Sequence, residues 1–375
     1  MNYLKQADEN ADIDQSQVKA SVRAILSDIK IRREQAAAEY ALEFDRWNGD
    51  IVVPPETIEK AVSSVDQQMK DDIRFAHERV LVFARSQLSS IRGSEFTSGG
   101  ITVGHRHIPV NIAGCYIPGG RYAHIASAIM SITTAKVAGV KNIIACSPAK
   151  ESAGINPAIL YAMNLCGADH ILAIGGAQAI ASMAFGCFTG LSADILVGPG
   201  NIYVSEAKRQ LFGKTGIDLF AGPTEIAVIA DGTADPRLIA VDLVSQMEHG
   251  PTSPAWLITT DESLARDVMG KIPDLIAALP EEAQAASAAW ENCAEIVVCD
   301  SREEAAAISD GYAPEHLEVH AEDLDWWHDN LTNYGSLFLG EECTVTYGDK
   351  VSGPNHILPT NGAARYTGGL SVAKF

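Results

Sequence analysis

Residues 170–212 read HILAIGGAQAIASMAFGCFTGLSADILVGPGNIYVSEAKRQLF. A short apolar run, His170–Ile174, meets a Gly-Gly turn and then the Ala-rich stretch Ala177–Phe185, which has no internal Gly or Pro. The pattern recurs at once: Asp194–Val197 reads as a strand, a Gly-Pro-Gly turn follows, and Ile202–Phe212 reads as a helix. Near-continuous apolar strands alternating with helices predict a mostly parallel sheet covered on both faces.

The alternation extends both ways. Upstream lie a strand at Asn142–Cys146 and a helix at Pro157–Leu165. Downstream come a strand at Ile226–Ala230 and a helix at Pro236–Glu248, then strands at Ala255–Thr259 and Ile296–Cys299, each leading into a helix, and Leu337–Leu339 closes the series. The series is too long for one small sheet, so the fold class expected is α/β with two parallel-sheet units, preceded by an N-terminal helical segment. One helix is expected over Gln15–Phe44 and another from Pro54-Pro55 to about Ser90, because Pro is tolerated in a first turn. Residues 100–120, GITVGHRHIPVNIAGCYIPGG, change character to short strands. The turns CYIPGG and AGPTE are the best candidates for a boundary between units.

Composition sets limits on partners. The 375 residues are 47% hydrophobic and 20% charged, as in an ordinary globular protein. With 28 Lys and Arg against 48 Asp and Glu, the formal charge is −20, which excludes nucleic acid or anionic membrane as a bulk electrostatic partner. The first twenty residues are polar and acidic, unlike a signal peptide, and no apolar run is long enough to span a bilayer. Seven cysteines, none in C-x-x-C spacing, read as reduced core residues, and a cytoplasmic protein is expected.

The fingerprint G-x-G-x-x-G is missing, but GGAQAIASMAFG (175–186) and VGPGNIYVSEAKR (197–209) each follow a strand and open a helix. Free N–H groups at such a turn favour an anion such as a pyrophosphate, and a tight connection that needs Gly anyway explains the same residues. No G-x-S-x-G elbow and no P-loop lysine motif occurs, which removes a serine hydrolase and a P-loop nucleotide enzyme.

Three segments carry titratable chemistry. In DPRLIAVDLVSQMEHG, Asp242, Gln246 and His249 fall on one helical stripe, and Gln246 and His249 can reach one metal ion from the last turn; a polar surface stripe is the alternative. In YAPEHLEVHAEDL, Glu315 and His316 can divide proton transfer between them. Alternation of Leu317 and Val319 with Glu318 and His320 predicts a strand, on which His316 and His320 lie too far apart to share a metal. YGDKVSGPNHILPT places Asp349 and His356 in a Gly/Pro-rich loop, the kind that often holds function on an α/β scaffold. Cys115, beside Tyr116, is the candidate nucleophile for a cysteine-dependent aldehyde route.

Together, CYIPGGR, AKVAGV, GGAQAIASMAFG, VGPGNIYVSEAKR, AGPTE, SQMEHGP, YAPEHL and SGPNHILPT stand in the order and at the spacing of the histidinol dehydrogenase family, which the chain resembles from about residue 20 to its end. The resemblance implies a zinc-containing, NAD-dependent homodimer that oxidises a primary alcohol to a carboxylate through an aldehyde. It implies Gln246, His249 and Asp349 as zinc ligands and Glu315 and His316 as the acid/base pair. It implies Tyr116, Gln178 and Asn201 as NAD contacts, and Thr224 and His356 as substrate contacts. A degenerate, non-catalytic relative would have lost Glu315, His316, Gln246, His249 or Asp349, and all five are present. The resemblance also suggests a division into a helical arm (1–21), a discontinuous first α/β domain (22–114 and 225–375) and a second, NAD-side domain (115–224). In the family a small C-terminal domain follows GGLSVAKF and brings a further zinc-ligating His and a substrate-contact Glu; this chain ends at Phe375.

Within the family, residues 119–148 and EDLDWWHDNLTNYGSLFLGEE (322–342) resemble the sulfopropanediol 3-dehydrogenase branch. That points to 2,3-dihydroxypropane-1-sulfonate, oxidised to 3-sulfolactate, ahead of L-histidinol. Thr224 and the turn Ala123–Ser127 are where the substrate side can differ, and Arg121 can pair with a sulfonate or can be a common turn residue.

Overall fold

A computed structural model describes residues 1–8, 16–119, 123–151, 153–220, 222–280 and 285–375. The chain falls into two compact units: Met1–Asp14, Phe220–Gly348 and Leu358–Gly369 form one, and Gln15–Leu219, Asp349–Ile357 and Leu370–Phe375 the other. The chain opens with strand β1 (Asn2–Lys5), which belongs to the first of these and is described with it below.

The unit containing Gln15–Leu219 begins with four helices, α1 (Ser16–Arg32), α2 (Glu34–Asp45), α3 (Pro55–Ser64) and α4 (Gln67–Ser90). The expected single helix over Gln15–Phe44 is broken at Arg33, whose φ is 57°. No Gly or Pro marks that break; it lets Val22, Ile25 and Ile29 of α1 and Ala36, Ala37 and Ala41 of α2 reach one apolar cluster. The second expected helix also divides, because Asp66 accepts a hydrogen bond from Met69 N–H at 2.9 Å and caps a new start. An exposed hairpin, β2 (Ser94–Ser98) with β3 (Ile101–His105), follows.

Then comes the predicted alternation: β4 (Ile112–Tyr116), α5 (Ile125–Ala138), β5 (Asn142–Ser147), α6 (Pro157–Cys166), β6 (His170–Ala173), α7 (Gly176–Phe185), β7 (Ile195–Val197), α8 (Ile202–Leu211) and β8 (Gly216–Ile217). The parallel sheet has the order β6-β5-β4-β7-β8. Winding therefore reverses beside β4, and the crevice at the carboxyl ends of β4 and β7 is the place where open α/β sheets hold ligands.

The other unit repeats this plan with β9 (Ile226–Ala230), α9 (Pro236–Met247), β10 (Ala255–Thr259), α10 (Glu262–Ala277), α11 (Ala285–Cys293), β11 (Ala294–Val298), α12 (Arg302–Tyr312), β12 (His316–His320), α13 (Leu324–Asn330), β13 (Ser336–Leu339) and the short α14 (Val345–Tyr347). Its order is β1-β11-β10-β9-β12-β13, parallel except for β1 at the edge. One sheet face packs Ile226, Val228, Leu257 and Ile296 against α9 and α10; the other packs Ala227, Ile229, Leu317 and Val319 against α12 and α13.

The α/β class and the two parallel-sheet units agree with the sequence reading. The suggested division does not. Of the helical arm expected over 1–21, Asn2–Lys5 is a strand paired with β11, and residues from Ser16 on belong to the long helix α1 of the other unit. Residues 22–114 group with 115–219, because α1 and α2 bury their apolar faces on α7 and α8 rather than on the second sheet. CYIPGG lies inside a unit, whereas the chain passes between units at Leu219–Phe220, beside AGPTE. Among the described residues no helix is long and apolar enough to cross a membrane.

Candidate active site

In the unit built on β4, the three residues expected to touch NAD stand at the carboxyl ends of its strands. Tyr116 ends β4, Gln178 lies in the first turn of α7 after β6, and Asn201 caps α8 after β7. The Tyr116 hydroxyl accepts from Gly176 N–H at 3.3 Å, and Asp45 accepts from Gly175 N–H at 3.0 Å and lies 3.5 Å from the Gln178 amide. Burial raises the Asp45 carboxyl, opposed by the Gly175 N–H. The Asn201 side chain accepts from the N–H groups of Tyr203 and Val204 at 3.0 and 3.2 Å. Of the N–H groups at these two helix starts, Asp45, Tyr116 and Asn201 therefore hold those of Gly175, Gly176, Tyr203 and Val204.

The VGPG turn is fixed by two charges in the core. Gly198 has φ 117°, and a Cβ there would fall 2.1 Å from the Tyr116 carbonyl oxygen, so only glycine lets the chain pass. Asp218 accepts from Gly198 N–H at 2.7 Å, and Lys208 Nζ donates to the Gly198 oxygen at 2.9 Å. Lys208 and Asp218 form an ion pair with both side chains buried. This cradle at the switch point suits a dinucleotide, by its place in the sheet and by its tight glycine turn.

Two further predicted residues belong to the same unit. His356 Nε2 and Asp349 Oδ1 lie 2.7 Å apart, with the imidazole buried and the carboxylate half exposed. The sequence reading gave these two residues separate duties; the structure joins them.

In the unit built on β9, Glu315 and His316, the pair expected to transfer protons, sit at the amino end of β12, opposite the end where the switch-point rule looks. Its backbone is held by Ser336 N–H to the Glu315 oxygen at 2.9 Å. A Cβ on Gly335 would lie 2.4 Å from that oxygen, so Gly335 is required by close approach. Glu315 Oε2 accepts from Glu225 N–H at 3.0 Å, and His316 Nδ1 lies 2.9 Å from the Glu225 carbonyl oxygen. A carbonyl can only accept, so the proton of neutral His316 belongs on Nδ1 and Nε2 keeps its lone pair. Thr224 adjoins Glu225, half-buried.

Glu225 itself was not singled out in the sequence. Burial pushes its carboxyl up to about 7, against a hydrogen bond from Asn361 N–H at 2.7 Å. Its place in AGPTE, one residue before β9 and directly after the proposed substrate contact, was the available signal.

Gln246 is buried in the last turn of α9, and His249 lies just past its end, exposed. Neither side chain makes a hydrogen bond within the described residues, so an amide oxygen and an imidazole nitrogen are free to ligate. This donor set suits zinc. Among the described residues, the His, Cys, Asp and Glu donors that cluster within 4.8 Å of one another are Asp242, Glu318 and His320. Arg121, expected at an anionic head group, lies outside the described residues. Cys115 is fully buried and its thiol is pushed up to about 12, so it does not supply a thiolate.

Comparison with known proteins agrees with this architecture. The family profile described as Histidinol dehydrogenase matches residues 8–375. A "Histidinol dehydrogenase homolog" of Pelagibacter ubique is 56% identical over 100% of this chain and 88% of its own. A "Sulfopropanediol 3-dehydrogenase" of Ruegeria pomeroyi is 56% identical over 100% of this chain and 87% of its own. The crystal structure of histidinol dehydrogenase from Elizabethkingia anophelis superposes with a TM-score of 0.90 at 37% identity, covering 99% of this chain and 84% of that one. The chain belongs to the histidinol dehydrogenase family, and it is an NAD-dependent dehydrogenase of that zinc-binding family.

Proposed function

We propose that the enzyme oxidises 2,3-dihydroxypropane-1-sulfonate to 3-sulfolactate in two NAD-linked steps through the aldehyde. The observation that carries this reading is the 56% identity, along the whole chain, to a sulfopropanediol 3-dehydrogenase, against 37% to a histidinol dehydrogenase of matching fold. L-Histidinol oxidation to L-histidine is the second reading, from the family name itself.

Bound NAD supplies the hydride acceptor, and bound zinc a Lewis acid that orients substrate oxygen atoms. Tyr116, Gln178 and Asn201 would hold NAD; Gln246, His249 and Asp349 would hold zinc; Thr224 and His356 would contact substrate. His316 takes the alcohol proton on Nε2 as hydride leaves the carbinol carbon, and its Nδ1–H stays on the Glu225 oxygen. Glu315, held by the Glu225 N–H, draws a proton from water as that water adds to the aldehyde carbon. The hydrate then loses the second hydride. Two hydrides and three protons leave in all, and one oxygen of the carboxylate comes from water.

The family supports a homodimer, which sedimentation equilibrium tests. The seven free cysteines suit a reducing cytoplasm. The deciding experiment measures NADH formation by the zinc-loaded chain with the sulfonate diol and L-histidinol side by side. The diol is expected to have the higher kcat/KM by about tenfold or more, the scale of one altered polar contact. Turnover of histidinol alone overturns the reading.

A further inference from the structure

Residues 316, 318 and 320 of β12 alternate onto the sheet face that α9 covers. Glu318 and His320 are buried there, at 0% and 1% exposure. Asp242 reaches the same spot from α9, and one donor atom from each of the three residues lies within 4.8 Å of the others. His320 Nε2 is 3.7 Å from Glu318 Oε2. Thr344 donates to Asp242 Oδ1 at 3.3 Å, and Val345 N–H to Glu318 Oε1 at 3.2 Å. Three buried atoms have no hydrogen-bond partner among the described residues: Glu318 Oε2 and both ring nitrogens of His320.

An apolar core does not leave such groups unpaired without cost, about 1–3 kcal/mol for each neutral group and more for a charged one. A proton shared between Asp242 and Glu318 relieves the carboxylates and leaves both imidazole nitrogens stranded. A divalent cation engages both carboxylates and one imidazole nitrogen and cancels two negative charges. Burial lowers the basicity of His320, which keeps it in the neutral form that ligates. Bonds of about 2.0–2.2 Å in a tetrahedral zinc site put neighbouring donor atoms about 3.3–3.6 Å apart; His320 Nε2 and Glu318 Oε2 already lie 3.7 Å apart, and a small inward shift of the three side chains from within 4.8 Å completes the set.

We infer that Asp242, Glu318 and His320 form a second, structural site for a divalent transition cation, which ties α9 to β12. The imidazole with two carboxylates suits Zn2+ or Mn2+. By fixing α9, the ion would steady the helix whose end carries Gln246. The site is separate from the zinc ligands proposed above, and the two can be told apart.

The test uses the full chain with Zn2+ alone. His249→Asn removes a ligand of the proposed catalytic site. After incubation with Zn2+ and gel filtration, this variant is expected to keep about one zinc per chain by mass spectrometry, and His249→Asn/His320→Asn to lose it. Glu318→Gln in the same background, the milder change in shape, should also lose it. In zinc-soaked wild-type crystals, a zinc-edge anomalous map should show a peak between Asp242, Glu318 and His320, independent of whether any variant folds. No peak there, or folded His249→Asn protein free of zinc, overturns the second site and leaves the catalytic assignment standing. A shared proton and a buried water are then what satisfy the cluster.

Discussion

His316 Nδ1 lies 2.9 Å from the main-chain oxygen of Glu225. The same residue's N–H donates to Glu315 Oε2. The single residue before β9, Glu225, therefore orients both proposed proton-transfer groups, fixing the imidazole tautomer with its carbonyl oxygen and the carboxylate with its N–H. The arrangement separates their duties. His316→Ala should slow the first hydride transfer, from alcohol, by about 10²–10⁴-fold, the usual span for a positioned acid or base. Glu315→Gln should harm chiefly the second, from aldehyde. Single-turnover NADH formation from each substrate form reads the two steps apart, and slowing by Glu315→Gln confined to the alcohol step would reverse the assignment.

Glu225 gives a pH signature in stability. Its carboxyl is raised by burial to about 7 in the folded protein, above the ordinary value of 4.5. Between those values the folded chain holds a proton that the unfolded chain releases, so wild-type stability falls as pH rises through this window and levels off above it. Glu225→Gln keeps an oxygen for the Asn361 N–H and removes the titration. The variant should gain on the wild type by about 1–3 kcal/mol at pH 8 relative to pH 5. Thermal melts at the two pH values measure this, and a pH-independent difference would show that Glu225 stays ionised in the fold.

Much of this fold can be read from the sequence because glycine turns and apolar runs punctuate it locally. Strands β9 and β10 occupy the predicted residues, and α6 to α9 end within a residue or two of expectation. The breaks at Arg33 and Asp66 were hidden for different reasons. Arg33 adopts a left-handed φ imposed by packing on either side, with no residue type to announce it. Asp66 is a cap that looked like one more polar residue in a long helical stretch. The site was legible as motifs, and the residues behind the motifs were not. On β12, alternation correctly predicts a strand, and polar positions on such a strand suggest a solvent face. In a sheet covered on both faces there is no solvent face, so Glu318 and His320 are buried with the rest. Asp45, Lys208 and Asp218 were invisible for a related reason: their partners are main-chain groups of the glycine turns, set by tertiary contact.

Cys115 offers a plain test of the mechanism class. Its thiol is raised to about 12 by complete burial, so a thiolate route would need a conformational opening at neutral pH. Cys115→Ser should leave turnover of alcohol and aldehyde within about twofold of wild type, and brief iodoacetamide treatment of the native enzyme should not inactivate it. Loss of aldehyde oxidation alone in Cys115→Ser would favour a covalent thiohemiacetal route in place of Glu315.

The Lys208–Asp218 pair carries the prediction that links the core to the cofactor. Both groups are buried, and both hold Gly198, one through its oxygen and the other through its N–H. Removing one partner leaves an uncompensated charge in the core, which costs about 3–5 kcal/mol. Lys208→Met should therefore lower stability by that amount, and Asp218→Asn likewise. The double variant Lys208→Met/Asp218→Asn should recover part of the loss, since no lone charge remains. Its VGPG turn would still lack the Lys208 anchor on the Gly198 oxygen, while an asparagine at 218 keeps one oxygen for the Gly198 N–H. The double variant is thus expected to fold while its KM for NAD rises about tenfold or more, with a smaller change in kcat. Denaturant melts and NAD saturation curves give the two readouts. A stable double variant with wild-type NAD affinity would show that the buried pair serves the core alone and that the turn holds its shape without it.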